Sequence, residues 1–366
     1  MQTNEEKRKD INFAIVGLGG IGNTHAISAY MANMTLNLPY NLNLVKTVTR
    51  KPSGFSINGV TNTQSLEEVL EDKNIDFIDI CTPNDSHGDI VRKAILYKKP
   101  VYCEKPLSSS YYEAVEMAEA VKEAGIKNAV ALIYRFVPSI SLIINEINEG
   151  TIGEIIDFKI KLYHKGYLNP NKKDVWRTSS ASGGGALLDL GIHLVDIIQA
   201  TLGNIEKVNC SSRIFFENRT NVDEISNCNL YLENGIRGNL EVSRIFADSE
   251  ESTSFVIYGT KGSIRMSSHK ADSIEIYDFN KNMTFIKSAK GMDKILRYYG
   301  PSAAGFFYDS HKAGLVNFAN MISGINVDGN ITADFEEAAK SQRVIEACYK
   351  SSRENREVNI NEIKYR

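Results

Sequence analysis

Residues 17–22 read Gly-Leu-Gly-Gly-Ile-Gly, a G-x-G-x-x-G run set between an apolar stretch, 11–16, and a helix-like stretch ending near Met34. No other feature narrows the possible folds as much. Gly17 permits a tight strand-to-helix turn, Gly19 lets a ligand approach the backbone, and Gly22 lets the helix lie close on the strand. Gly20 and Ile21 complete the turn. A helix starting there offers free N–H groups and a favourable dipole to phosphate. The pattern alone also fits a structural glycine turn. Its place at the head of alternating strands and helices favours a dinucleotide site.

That alternation runs through the first third. Strands are predicted at 42–48, 77–81, 101–103 and 128–133, and helices at 65–70, 85–97 and 111–124. Ser65 and Glu68 have capping-box spacing. Such a series builds parallel βαβ units and a doubly wound Rossmann sheet. From residue 155 the pattern changes to strands at 155–163, 208–216, 226–232, 238–245, 253–258 and 273–278. Asn234-Gly235 and Thr260-Lys261-Gly262 read as hairpin turns, so this part is expected to be mostly antiparallel. Helices return at 304–322 and 334–351. A chain of 366 residues exceeds one typical core. The expected division is 1–135 and 136–366, with the last helices packing back on the first domain.

A net charge of −3, with basic and acidic residues mixed, gives no nucleic-acid or membrane surface. Residues 1–10 are polar and do not read as a signal peptide, and no apolar run reads as a bilayer span. Cys81, Cys103, Cys210, Cys228 and Cys348 never form a C-x-x-C pair. That argues against a metal site or a disulfide framework, and for buried thiols in a cytoplasmic protein.

The second strand ends Val48-Thr49-Arg50-Lys51, without the carboxylate that usually meets the adenosine ribose. A solvated turn is one reading. A small hydroxyl beside Arg50 also suits a 2′-phosphate, which favours NADP over NAD. Thr82-Pro83-Asn84 follows the third strand at the sheet's carboxyl edge, where ligands bind. His87 lies just beyond, and a satisfied structural histidine is the favoured reading there over cofactor contact. Glu104-Lys105-Pro106 follows the next strand and fixes a lysine at the same edge, well placed for a catalytic ammonium. Gly183-Gly184-Gly185 precedes a helical stretch in which Asp189 and His193 are i and i+4, on one face. Asp196 either orients that face or caps the helix.

In this order these residues resemble the Gfo/Idh/MocA oxidoreductase family, over nearly the whole chain. The resemblance rests on residues 17–22, Thr82-Pro83-Asn84 with His87, Glu104-Lys105-Pro106, Tyr134-Arg135-Phe136, Trp176-Arg177, and the glycine run with Asp189 and His193. It implies a C-terminal α/β domain with a large open sheet that forms subunit interfaces, hence a homodimer or homotetramer. It also implies that Lys105, His193 and Asp189 lie near the reacting carbon of a sugar, inositol or related polyol. Tyr134, Arg135, Trp176 and Arg177 are expected around the substrate, and Tyr308 and His311 are further specificity candidates. His193 is then the base, Lys105 steadies the reacting oxygen, and Asp189 holds a neighbouring hydroxyl or the histidine. Two other readings stay open: a glycosidase or lyase-like enzyme using transient oxidation, and a non-catalytic dinucleotide sensor. An acidic residue is frequent in the family where Thr49 stands.

Overall fold

The computed structural model describes residues 8–51, 57–173, 175–247, 253–289, 304–325 and 331–365. The first part alternates β1 (Lys9–Val16), α1 (Gly20–Thr35), β2 (Tyr40–Val48), β3 (Thr61–Thr63), α2 (Glu67–Leu70), β4 (Phe77–Ile80), α3 (His87–Leu96), β5 (Val101–Cys103), α4 (Tyr111–Glu123) and β6 (Asn128–Val130). These strands pair in parallel in the order β3-β2-β1-β4-β5-β6, the doubly wound arrangement expected. Apolar residues fill the strands because helices cover both sheet faces.

The second part comprises α5 (Pro138–Asn148), β7 (Ile155–Tyr163), α6 (Ile192–Leu202), β8 (Ile205–Arg213), β9 (Ile225–Leu232), β10 (Arg237–Ser243), β11 (Thr253–Gly259), β12 (Gly262–Ser267), β13 (Ser273–Asp278), β14 (Met283–Ser288), α7 (Phe306–Ser323), α8 (Phe335–Glu354) and β15 (Val358–Asn359). Its sheet has nine strands ordered β14-β13-β12-β11-β7-β10-β9-β8-β15. Neighbours are antiparallel except β7 and β10, which run parallel. The sequence reading missed α5, whose start at Pro138 is a favoured first helical position. It also missed β12 and β14, short strands whose polar content hides the alternation.

Strand alternation places Phe158, Ile160, Leu230, Leu240, Phe255, Ile264 and Ile276 on one buried face. The other face carries Lys159, Asn209, Asn229, Asn239, Arg265 and Glu275, all short of burial. Val256, Tyr258, Tyr277 and Ile286 share this open face, which is otherwise mostly polar, so it is less apolar than the sequence reading expects.

The C-terminal helices return to the first sheet. Phe318 of α7 meets Phe77 edge-on at 5.2 Å, and Phe77 stacks on Phe13 at 5.1 Å. The Tyr40 hydroxyl donates to Asn320 Oδ1 at 2.7 Å. The Phe335 N–H at the head of α8 donates to Asn128 Oδ1 at 2.8 Å.

Two expectations need correction. Cys210 and Cys228 are direct register partners on β8 and β9 and are bonded to each other. Cys81, Cys103 and Cys348 are free and buried, as expected. The sequence could not show that two cysteines 18 positions apart become cross-strand neighbours. Secondly, Ser180–Leu202 is long and apolar enough by composition to cross a membrane, yet 83% of its apolar window is buried inside the protein. Its apolarity is that of a core helix.

Candidate active site

The glycine turn is built as its spacing implies. Gly17 has φ +100°, and a Cβ there would stand 2.8 Å from the Cys81 carbonyl oxygen. At Gly22 a Cβ would come within 2.1 Å of the Gly17 carbonyl oxygen, so only glycine lets α1 start this close to β1. Gly19 and Gly20 face open space. Asn23 N–H returns to the Gly19 carbonyl at 3.0 Å, which leaves the Gly20, Ile21 and Gly22 amides at the helix start for a phosphate. A cavity of about 840 Å³ opens there. Gly19, Gly20, Ile21, Thr82, Pro83, Asn84, Glu104 and Lys105 line one side of it. This cradle, at the carboxyl edge of a parallel sheet, fits a dinucleotide. The Thr49 hydroxyl donates back to the Lys51 carbonyl at 2.7 Å, and Arg50 beside it is exposed and makes no ion pair among the described residues.

Tyr134, Trp176, Arg177, Asp189, His193 and Arg244 line the same cavity from the second part of the chain. Lys105 reaches across and donates to Asp189 through its Nζ, at 2.8 Å to Oδ1 and 2.9 Å to the backbone oxygen. Asp189 is 1% exposed and carries two further cations on Oδ2: Arg177 Nε at 3.1 Å, and Arg244. Burial pushes Lys105 down to about 7; Glu104 opposes this, and Arg177 and Arg244 add to it. The Asp189 contact favours the ammonium, but its one negative charge is shared among three cations.

The His193 ring lies tilted against that of Tyr134, with ring centroids 4.9 Å apart. Burial, reinforced by Lys105 and opposed by Glu104, holds its pKa well below the ordinary 6.5. It is therefore neutral at pH 7 and able to accept a proton. Its Nδ1 is buried without a hydrogen-bond partner among the described residues.

The helix read through Asp189 and His193 is not uniform. Leu187–Gly191 is a π turn that runs into α6. Asp223 Oδ2 accepts the Leu187 N–H at 2.7 Å, and the Tyr349 hydroxyl accepts the Leu188 N–H at 3.2 Å while donating to Asp223 Oδ1 at 2.9 Å. Gly185, at φ +114°, leaves room for both groups. Asp189 and His193 face the cavity from successive turns, and their side chains make no hydrogen bond to each other.

A second buried array went unread. His25 Nδ1 lies 2.8 Å from Asp79 Oδ2, and its Nε2 lies 3.0 Å from Glu104 Oε1 and 3.1 Å from His311 Nδ1. Burial opposes charge on His25, but Asp79 holds its pKa well above the ordinary value. Burial also opposes charge on Glu104, yet His25 draws its carboxyl down to about 2. His311 is driven to about 3 by burial and by His25. The signal for His25 was its place three residues after Gly22, on the same helix face. Arg244 had a weaker one, a charge just beyond an alternating strand.

Several expected residues lie elsewhere. Arg135 is bound to Asp196, at 2.7 and 2.9 Å, and to Glu337 at 3.2 Å, so it braces α6 against α8 instead of lining the cavity. Asp196 is its counter-ion. His87 is fully buried, with its ring nitrogens 3.1 Å from the Leu107 oxygen and 3.0 Å from the Thr82 oxygen, and is structural. His311 lines the cavity and Tyr308 does not.

Residues 11–132 match the family model described as "Oxidoreductase family, NAD-binding Rossmann fold", and residues 144–360 match "Oxidoreductase family, C-terminal alpha/beta domain". The chain belongs to the Gfo/Idh/MocA oxidoreductase family. It is 26% identical to levoglucosan dehydrogenase of Pseudarthrobacter phenanthrenivorans, over 73% of this chain and 76% of the relative. It is 31% identical to scyllo-inositol 2-dehydrogenase (NAD(+)) of Bacillus subtilis, over 69% and 73% respectively. An NAD binding oxidoreductase from Klebsiella pneumoniae superposes with a TM-score of 0.83 at 27% identity, covering 96% of this chain and 99% of its own. The protein is thus an oxidoreductase that moves a hydride between a nicotinamide dinucleotide and a hydroxyl or carbonyl carbon.

The titration of Lys105 is open to direct measurement. After reductive ¹³C-methylation, one lysine signal should titrate near pH 7, far below the roughly 10.4 of a free lysine. Asp189→Asn removes the attracting carboxylate, so that signal should move lower still. A Lys105 signal titrating near 10 contradicts this electrostatic account.

Proposed function

We propose that the protein oxidises, or reversibly reduces, a CH–OH carbon of a sugar, inositol or related polyol, with Lys105, His193 and Asp189 as its chemical groups. One observation carries this. Lys105 follows a Rossmann strand and His193 stands on a helix of the second part, and both line the cavity that begins at the glycine turn. When bound, the nicotinamide supplies the hydride acceptor or donor. Neutral His193 takes the hydroxyl proton as the carbonyl forms, and returns it in reduction. The Lys105 ammonium steadies the developing oxygen charge. Asp189 holds Lys105 in place instead of a substrate hydroxyl, since both its oxygens are already engaged. Tyr134 and Trp176 supply the apolar walls.

Lys105→Met and His193→Ala should each lower turnover about 10²-fold or more, with dinucleotide affinity changed little. Steady-state assays over aldoses, inositols and keto-sugars, following nicotinamide absorbance, check this. Substrate consumed with no net change in absorbance would favour the transient-oxidation reading. Near wild-type rates in both variants would remove these residues from the chemistry.

The cofactor's finer identity follows from the end of β2. Arg50 and the lack of a carboxylate there support NADP(H) over NAD(H). Arg50→Ala should narrow the gap between the two. Fluorescence titration measures it, and a tenfold preference of the wild type for NAD(H), about 1.4 kcal/mol, rules the assignment out.

Assembly as a homodimer or homotetramer is proposed through the open face of the nine-stranded sheet. Because that face is mostly polar, association should weaken as salt rises. Sedimentation velocity at low and high ionic strength tests this; a monomer in both conditions defeats it.

A further inference from the structure

The catalytic cavity contains a preorganised cation that its own carboxylates do not satisfy. Arg177 is held at two points. Its Nε is bound by Asp189 Oδ2 at 3.1 Å, and its guanidinium lies over the Trp176 ring, 4.1 Å from the centroid. These contacts fix the plane of the group and leave its two terminal nitrogens without a hydrogen bond among the described residues. The side chain is 37% exposed and lines the cavity. Lys172 lines the same region. Its Nζ donates to the Gly166 carbonyl at 2.9 Å and sits 4.2 Å from the centroid of the Tyr167 ring, with no carboxylate partner among the described residues.

Two described carboxylates line the cavity, and both are matched. Glu104 Oε1 is met by His25, and Glu104 Oε2 accepts the Lys105 backbone N–H at 3.0 Å. Asp189 is shared by Lys105, Arg177 and Arg244. A neutral sugar closing over Arg177 would strip water from its terminal N–H groups and return only hydroxyl contacts. A carboxylate or phosphate matches the free edge of a guanidinium with two parallel charge-assisted bonds.

We infer that the substrate is an anionic sugar, with a carboxylate or phosphate received by the terminal nitrogens of Arg177 and supported by Lys172. This rests on the hydride-transfer reading above and names its substrate class. Because Arg177 and Lys105 bind the same Asp189, the anionic group and the reacting oxygen are held one carboxylate apart, within the span of a single sugar unit.

The test compares matched sugars on the wild-type protein: neutral aldoses and inositols, the corresponding aldonates and uronates, and sugar phosphates. Turnover is followed by nicotinamide absorbance, and binding to the dinucleotide-loaded protein by calorimetry. One charged class should exceed its neutral counterparts at least tenfold in kcat/KM or affinity, and that advantage should shrink as salt rises. The carboxylate and phosphate arms identify which group is received. Arg177→Gln should cut the charged-to-neutral ratio tenfold or more, and Arg177→Lys should restore part of it. Dinucleotide titration of each variant reports whether it is folded, and the wild-type ratio stands even if a variant is not. Turnover of neutral sugars with a ratio near one overturns this inference and leaves hydride transfer intact. Tight binding of charged sugars without turnover supports the anion site and overturns the proposed oxidation of those sugars.

Discussion

The buried carboxylate of Asp189 is where the two halves of the molecule are tied together. Lys105 comes to it from the end of β5, Arg177 from the loop before the glycine run, and Arg244 from just beyond β10. Three segments remote in sequence must be in place before this charge is compensated. Removing one partner from a buried pair commonly costs about 3–5 kcal/mol. Here the remaining cations would take up part of that loss. Burial, with Arg177 and Arg244 beside it, brings Lys105 down to about 7, where a lysine can exist in either protonation state. One arrangement of charge therefore serves both assembly and chemistry.

Beneath it lies the array of Asp79, His25, Glu104 and His311. The two arrays meet in consecutive residues. Glu104 turns its side chain inward toward His25, while Lys105 turns toward Asp189. A strand end lets neighbouring side chains point to opposite sides, so the dipeptide couples a dry polar interior to the cavity. Charges in such an array are stable only when every partner is present. Asp79 favours charge on His25 and His25 favours charge on Glu104, while burial, with His25 beside it, keeps the pKa of His311 low.

The first sheet was legible because its signals are local: a glycine fingerprint, apolar strands and helical stretches alternating with them. Lys105 and His193 were legible because they sit in short motifs with known spacing. Arg135 was misplaced because a motif records that a residue recurs, not which way it faces; its partner Asp196 lies 61 positions away. Arg244 and His25 carry only weak local signals, and their roles come from contacts between elements. The bond between Cys210 and Cys228, and the polar character of the open sheet face, depend likewise on strand register.

The π turn carrying Asp189 is held from a distance. Its leading amides are taken by Asp223 and by the hydroxyl of Tyr349, which stands near the end of α8. A nascent chain that has emerged only as far as α7 already carries every catalytic candidate and Asp223, but not Tyr349, the second group that holds the turn. The order of synthesis thus places this constraint on the reactive groups in α8, after every described residue that lines the cavity.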